Sequence, residues 1–404
     1  MRFAEDRDET RDEGFDPSID ESDEHRALRA AVGAITDGFG PGYFAEHSRE
    51  RRPTTELWRE LGRHGYIGVN LPEEYGGGGG GLLELTIVCE EVAAHGCPLL
   101  LLLVSGAIAG EVLTRFGTAG QQAAWLPGLA AGTRKIVFAI TEPEAGSNTH
   151  RLSTTARRDG EGWLLRGTKQ FISGVDEADA VLVVARTGTD PGSGHGRLSL
   201  FVVDTADPRV TATPLAIEGA APERQFTLFF DDVPLSADRL VGTEGDGLRQ
   251  VFHGLNPERV TGAALGVGIA RYALARAADY ARTREVWDRP IGTHQAIAHP
   301  LAQAAIEVEL AALMTYRAAR LHDAGEARVK AAGEAANMAK YAAAEAAVHA
   351  VDAAIQTHGG NGMSRDYGLI PLWAMARTLR IAPVSREMIL NHVARHTLGL
   401  PRSY

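Results

Sequence analysis

The feature that most constrains this chain is a change of texture along its length. Up to about residue 134 the apolar residues recur at helical spacing. They then give way to short runs rich in Val, Ile, Phe and Thr between Gly and Asp clusters, and after Gly247 to long Ala-dominated tracts. A 3.6-residue period buries one face of a helix, whereas short β-branched runs between turn residues pair into a sheet. Leu57 with Leu61, and Leu85 with Val88 and Val92, keep the helical spacing, broken by turn signals at Leu71-Pro72 and in the six glycines of 76–81. Strand-like runs occupy 135–140, 163–166, 180–185, 198–203 and 225–230, enough for a compact antiparallel β domain ending near Leu240. Helices are predicted over 260–283, 300–324 and 327–357. The expected architecture is α+β and multi-domain, with an acidic, mobile arm over 1–24, a helical domain over 25–134, a central β domain over 135–246 and a helical bundle over 247–404.

Composition narrows the function classes. With 404 residues, 44% of them hydrophobic, the chain can build a substantial core. Its formal net charge of −11 argues against nucleic acid as a partner, because that affinity comes from clustered Lys and Arg. Two cysteines, Cys89 and Cys97, make neither a disulfide framework nor a metal site, which fits a reducing, cytoplasmic setting. The apolar stretch 97–108 is broken by Pro98, Ser105 and Gly106 and is too short to span a membrane.

Three segments invite chemistry. Residues 138–148 end a strand and open into a loop with a hydroxyl, an acid, a proline and a glycine, which suits either an ordinary turn or a polar planar ligand. Residues 169–174 again place an aromatic, Phe171, beside a hydroxyl, Ser173. Residues 353–362 close a helix with glycines whose N–H groups suit either a helix stop or a phosphate. No dinucleotide fingerprint follows a strand, since Gly262, Gly266 and Gly268 lie within a helical pattern.

In this order and spacing, these segments resemble the acyl-CoA dehydrogenase family. Residues 138–148 are similar to its flavin loop, T-E-P-x-A-G-S-[DN], and Phe171-Ile172-Ser173 resembles its tryptophan-isoleucine-threonine or serine segment. Pro72-Glu73-Glu74-Tyr75-Gly76-Gly77 looks like its P-E-E-Y-G-G. Residues 284–295 are similar to R-x-x-F-G-x-x-[IL]-x-x-x-Q, with Trp287 at the aromatic and Asp288 departing from glycine. The resemblance runs over 23–401.

It implies a helical N-terminal domain, a central β domain and a C-terminal four-helix bundle, with FAD shared between subunits of a homo-oligomer built as a dimer of dimers. Phe138, Ile140, Thr141, Gly146, Phe171, Ile172 and Ser173 would surround the isoalloxazine, and Ser147 would lie near both flavin and thioester. Arg284, Trp287, Gln295, Gln356, Gly359 and Gly360 would contact the pyrophosphate and adenosine from a neighbouring subunit, with Ser385 and Glu387 also near the cofactor. Asn256, Arg259 and Val384 would contact the substrate. No metal is implied. The implied reaction, as in fatty-acid β-oxidation, is removal of the α proton of an acyl-CoA by a carboxylate while the β hydrogen leaves as hydride to flavin N5. Electrons would then pass to an electron-transfer flavoprotein. A flavin oxidase, or a FAD-stabilised scaffold or nucleic-acid-binding member, are the competing readings.

In many members the base lies in a late E-G-T-x-[EQ]-[IM] segment. Here the corresponding stretch, 381–389, places Pro383 where that glutamate would stand and Glu387 at the later acidic position. Glu258, in Asn256-Pro257-Glu258-Arg259, matches the alternative location used by isovaleryl-CoA and long-chain dehydrogenases and is the expected base. Proline also lacks the N–H that the family aims at the thioester carbonyl, so a shifted donor such as the Val384 N–H, or a different pose, is expected. From the residues alone, Glu258 could open a helix with Asn256 as cap and Pro257 at the first helical position; if the helix instead begins near Gly247, Pro257 is internal.

Overall fold

The computed structural model describes residues 21–219 and 221–402. The N-terminal region is helical: α1 (Asp23–Asp37), α2 (Gly40–Glu50), α3 (Thr55–Arg63), α4 (Leu82–Ala94), a π-helical segment (Leu102–Gly110), α5 (Glu111–Phe116) and α6 (Ala119–Ala130). The expected polar arm lies outside the described residues except at its end, and there the expectation fails. Ser22 caps α1 by accepting from the His25 N–H, and Glu21 is ion-paired with Arg29 at 2.5 Å. A cap and a buried partner fix these residues despite their polarity.

The middle region comprises β1 (Ile136–Ala139), β2 (Thr155–Asp159), β3 (Gly162–Ser173), β4 (Ala180–Thr189), β5 (Gly196–Asp204), β6 (Val210–Pro214), β7 (Gln225–Leu235) and β8 (Leu240–Val241). They form one sheet in the order β6-β7-β3-β2-β4-β5-β8, with β1 beside β4. Most pairings are antiparallel, as expected, while β1 and β2 each meet β4 in parallel. The pleat sends alternate residues to opposite faces. On β4, Val181, Val183 and Ala185 join the core shared with the helical bundle, and Ala180, Leu182 and Val184 join a second core with Leu113, Trp125 and Leu126. The sheet is therefore covered on both faces, which holds its loops between two helical layers.

The last region contains α7 (Gly247–Thr283), a hairpin of β9 (Glu285–Val286) and β10 (Arg289–Pro290), α8 (Gln295–Asp323), α9 (Val329–His358), α10 (Leu369–Leu379) and α11 (Arg386–His392). Alanine dominates the buried faces: Ala336, Ala339, Ala343, Ala347, Ala350 and Ala354 recur along α9 at three- and four-residue intervals. Small side chains let helix backbones approach, and glycines on α7 carry this further. A Cβ at Gly268 would stand 2.2 Å from the carbonyl oxygen of Glu90 on α4, and one at Gly254 would stand 2.9 Å from Ile108 Cγ2 in the π-helical segment. Glu90, fully buried beneath that contact, accepts from Arg29, Arg271 and Tyr316, so α1, α4, α7 and α8 meet at one carboxylate. Replacing Gly268 with Ala should cost about 1–3 kcal/mol of stability through the backbone clash, seen as an earlier urea-unfolding midpoint. Gly262→Ala, whose Cβ would meet only Leu103 Cδ2 at 3.5 Å, should cost clearly less.

Candidate active site

The segment 140–148 begins where β1 ends and is held to β3 by an internal ion pair. Lys169 on β3, wholly buried, donates from Nζ to the Ile140 carbonyl at 2.9 Å and to Glu142 Oε1 at 2.8 Å. The same carboxylate accepts from the Ser153 N–H at 2.6 Å, the Ser153 hydroxyl at 2.7 Å and the Thr154 N–H at 3.0 Å. Burial works against the Glu142 charge, but Lys169 and these donors hold its pKa down at about 2. Burial likewise draws Lys169 down, to about 8, against the pull of Glu142. The Gln170 N–H donates to the Thr141 carbonyl, completing the tie.

Just beyond, the pairing of β3 with β7 slips between Lys169 and Ile172. A bulge re-aims side chains, and Phe171 takes the left-handed conformation, φ 59°, with 54% of its surface exposed. Ile172 turns inward to the core, and Ser173 exchanges hydrogen bonds with the Gln225 side chain. Phe138 and Ile140 are half-buried, while Gly146 and Ser147 are exposed. The hydroxyls of Thr141 and Ser147 make no hydrogen bond among the described residues.

Glu258 does not open a helix. Helix α7 starts at Gly247, so Pro257 is internal, and Asn256 accepts from Arg259 at 2.8 Å instead of capping. Gly254 and Gly262 lie one turn to either side of Glu258 on the same helical face. They pack on Ile108 and Leu103, so Glu258 looks toward the stretch between those residues. The residue keeps some exposure, but its Oε2 is closed to solvent and has no hydrogen-bond partner among the described residues. Burial raises its pKa to about 7, against the opposing fields of Arg259 and Lys340.

A separate group assembles at the far end of the bundle. Arg284 caps the C-terminus of α7, and Gln295 opens α8. Gln356 sits in the last turn of α9, which Gly359 ends with φ 59°. The ends of α7 and α9 adjoin, since Tyr280 stacks on His358 at 4.3 Å and accepts from Asn361. Trp287 and Asp288 have φ 53° and 62° and join β9 to β10 as a tight two-residue turn. That explains a glycine in the related pattern, and aspartate is among the residues that tolerate this conformation. Arg284, Trp287, Gln295, Gln356, Gly359 and Gly360 are all exposed. Further along, Ser385 caps α11 by accepting from the Met388 N–H, with Glu387 exposed in its first turn, and the Val384 carbonyl accepts from Lys340.

Family models for the acyl-CoA dehydrogenase N-terminal, middle and C-terminal domains match residues 22–133, 137–233 and 245–398. The chain belongs to the acyl-CoA dehydrogenase family. It is 55% identical over 389 residues to the acyl-CoA dehydrogenase FadE12 of Mycobacterium tuberculosis, covering 96% of this chain and all of that one. It is 34% identical to a glutaryl-CoA dehydrogenase of Desulfococcus multivorans, covering 87% and 90%. Among solved structures it resembles glutaryl-CoA dehydrogenase with glutaryl-CoA bound (TM-score 0.87, 30% identity, covering 95% and 98%). It also resembles a chain in the structure of the electron transferring flavoprotein of Acidaminococcus fermentans (TM-score 0.88, 28% identity, covering 94% and 99%).

This acyl-CoA dehydrogenase uses FAD, and its loops fit that group. Phe171 offers an aromatic face, the Thr141 and Ser147 hydroxyls have no competing partner among the described residues, and added side chains at Gly146, Gly359 and Gly360 would meet only open space there. Glu142, Lys169 and Lys340 escape sequence reasoning. The first two lie 27 positions apart on different elements, and nothing in their local spacing announces a pair. Lys169→Met should leave a buried, unpaired carboxylate, a loss of about 3–5 kcal/mol. The purified variant should melt earlier and carry substoichiometric FAD, measured by flavin absorbance per chain.

Proposed function

We propose that Glu258 is the base that removes the α proton of an acyl-CoA whose chain carries no ionised group at its far end. The orphaned, solvent-shielded Oε2 carries this reading. A carboxylate without hydrogen-bond donors is more basic than its usual range, and a pKa near neutrality suits a group that must be empty before reaction and hold a proton after it. FAD, when bound, supplies the hydride acceptor. The 103–108 stretch that Glu258 looks toward reads Leu-Val-Ser-Gly-Ala-Ile, without a charge, which supports an apolar chain. Arg259, tied to Asn256, stands next to the base and suits contact with the polar part of the thioester ligand. Thr141, Ser147 and Phe171 on the β side offer two hydroxyls and an exposed aromatic face, which supports them as the group that meets the flavin ring.

The same reading places the reaction in fatty-acid β-oxidation, with an electron-transfer flavoprotein as acceptor. The likeness to a chain in an electron transferring flavoprotein structure supports that acceptor. Two buried free cysteines support a reducing, cytoplasmic setting. Homo-oligomerisation is supported by α8, which is apolar enough and long enough to cross a membrane but packs along the bundle through Ala304, Val308 and Ala311. Its other face exposes Ile306, Leu310 and Leu313 at 63%, 61% and 59%, a helical stripe that a second copy would cover.

Glu258→Gln should retain FAD and abolish anaerobic bleaching of the flavin by butyryl-, isovaleryl- and octanoyl-CoA. Bleaching at the wild-type rate would remove Glu258 from the reaction. In the wild type, the base works only when deprotonated, so the bleaching rate should be half-maximal near pH 7 and fall about tenfold per unit below pH 6. Glutaryl-CoA should bleach poorly. Leu310→Glu should shift the protein to smaller species in size-exclusion chromatography with light scattering, and an unchanged mass would remove this face from the interface.

A further inference from the structure

Glu223 is a buried acid in the loop between β6 and β7, with 4% of its surface exposed. Its Oε2 is closed to solvent and has no hydrogen-bond partner among the described residues, a costly position for a carboxyl group. Its Oε1 accepts from the Leu100 N–H at 3.0 Å. Leu100 and Leu101 open the helical run that continues as the π-helical segment, and the first N–H groups of a helix have no partner within it. Glu223 therefore caps, from the β domain, the segment toward which Glu258 looks.

The next two residues grip the strand end that carries Phe171. The Arg224 carbonyl accepts from the Gly174 N–H at 2.8 Å, and the Arg224 guanidinium donates to Asp176 at 2.6 and 2.9 Å. Gln225 and Ser173 exchange side-chain hydrogen bonds at 3.1 and 2.8 Å. Little room is left between the two grips: Gly174 has φ 66°, and a Cβ there would stand 2.9 Å from Leu101 Cδ2. Residues 223–225 thus hold the start of one helix and the end of one strand at a single spacing. Ser105 makes a second tie by accepting from the Ile136 N–H at 3.1 Å, so the middle of the segment stays on the sheet whatever stands at 223.

We propose that Glu223 is a positioning residue that sets the depth of the acyl site. By capping the helical run from the β6–β7 loop, it fixes how far the apolar stretch stands from the flavin-facing strand end, and so where the far end of the acyl chain comes to rest. The proposal rests on the reading that the 103–108 stretch meets that chain. Without the cap, the first turn at Leu100 and Leu101 is free to recede while Ser105 holds the rest, which deepens the site from one end.

The test uses the FAD-loaded enzyme and anaerobic bleaching by butyryl-CoA and octanoyl-CoA, with the limiting rate and the half-saturating concentration measured for each. Glu223→Ala removes the acceptor for the Leu100 N–H, and Glu223→Gln keeps one. Glu223→Ala should raise the octanoyl-to-butyryl ratio of rate over half-saturation by about fivefold. The change should lie in the half-saturating concentrations, with limiting rates within about twofold of wild type. Glu223→Gln should restore the wild-type ratio. If Glu223→Ala does not retain FAD, Glu223→Ser, with a hydroxyl too short to reach Leu100, takes its place. A purely structural residue would lower stability or FAD content and leave the ratio unmoved, which overturns the proposal. So does an equal shift in Glu223→Gln, since the amide keeps the hydrogen bond. Val104→Phe, which enlarges a side chain on the stretch itself, should lower the same ratio. An unchanged ratio in both Val104→Phe and Glu223→Ala removes the reading of where the chain lies and the proposal with it; an unchanged ratio in Glu223→Ala alone removes only the proposal.

Discussion

The site depends on the close packing of α7 against the π-helical segment. Gly254 lets the α7 backbone approach Ile108 closely, and one turn further on Glu258 has one carboxylate oxygen sealed from water. Larger side chains at Gly254 would hold the surfaces apart and admit solvent, and a hydrated glutamate would titrate near its ordinary value. Gly268 performs the same office further along, seating α7 on α4 above the Glu90 cluster. The long helix is thus gripped by the N-terminal domain along one side, and its interior proline is tolerated because tertiary contacts, more than the backbone ladder, hold it in place.

Two carboxylates, each with an oxygen removed from solvent, reach opposite states. Glu142 receives four hydrogen bonds, including a direct one from Lys169, and remains ionised far below neutrality. It is a fixed anchor, and what it anchors is the loop from Ile140 onward against the strained turn at Phe171. Glu258 Oε2 receives none from the described residues. Burial is common to both; the hydrogen-bond inventory separates them. A saturated carboxylate makes a staple, and an unsaturated one makes a group that can take up a proton.

The alternation of helix and strand textures was legible because it rests on local periodicity, and so was the Ala-rich bundle. The extent of α7 was less so. Asn256-Pro257-Glu258 reads equally as a helix start, and only the packing of Val251 and Gly254 ahead of it shows that the helix is already under way. Residues 21–24 look like part of a polar arm, yet Glu21 finds Arg29, and no local signal reveals a partner eight positions on. The internal lysines were the least visible. Among so many alanines Lys340 reads as a solvated position, and Lys169 sits in a strand where alternation alone cannot tell a buried ammonium from an exposed one.

The departure at Pro383 becomes intelligible from the two sides of one peptide. A trans peptide directs its carbonyl and its N–H in opposite directions. With the Val384 carbonyl drawn toward Lys340, the Ser385 N–H in the same plane points away from α9, and Ser385 itself caps α11 through its hydroxyl. The segment is thereby oriented from both ends, by an ammonium on one helix and a cap on the next.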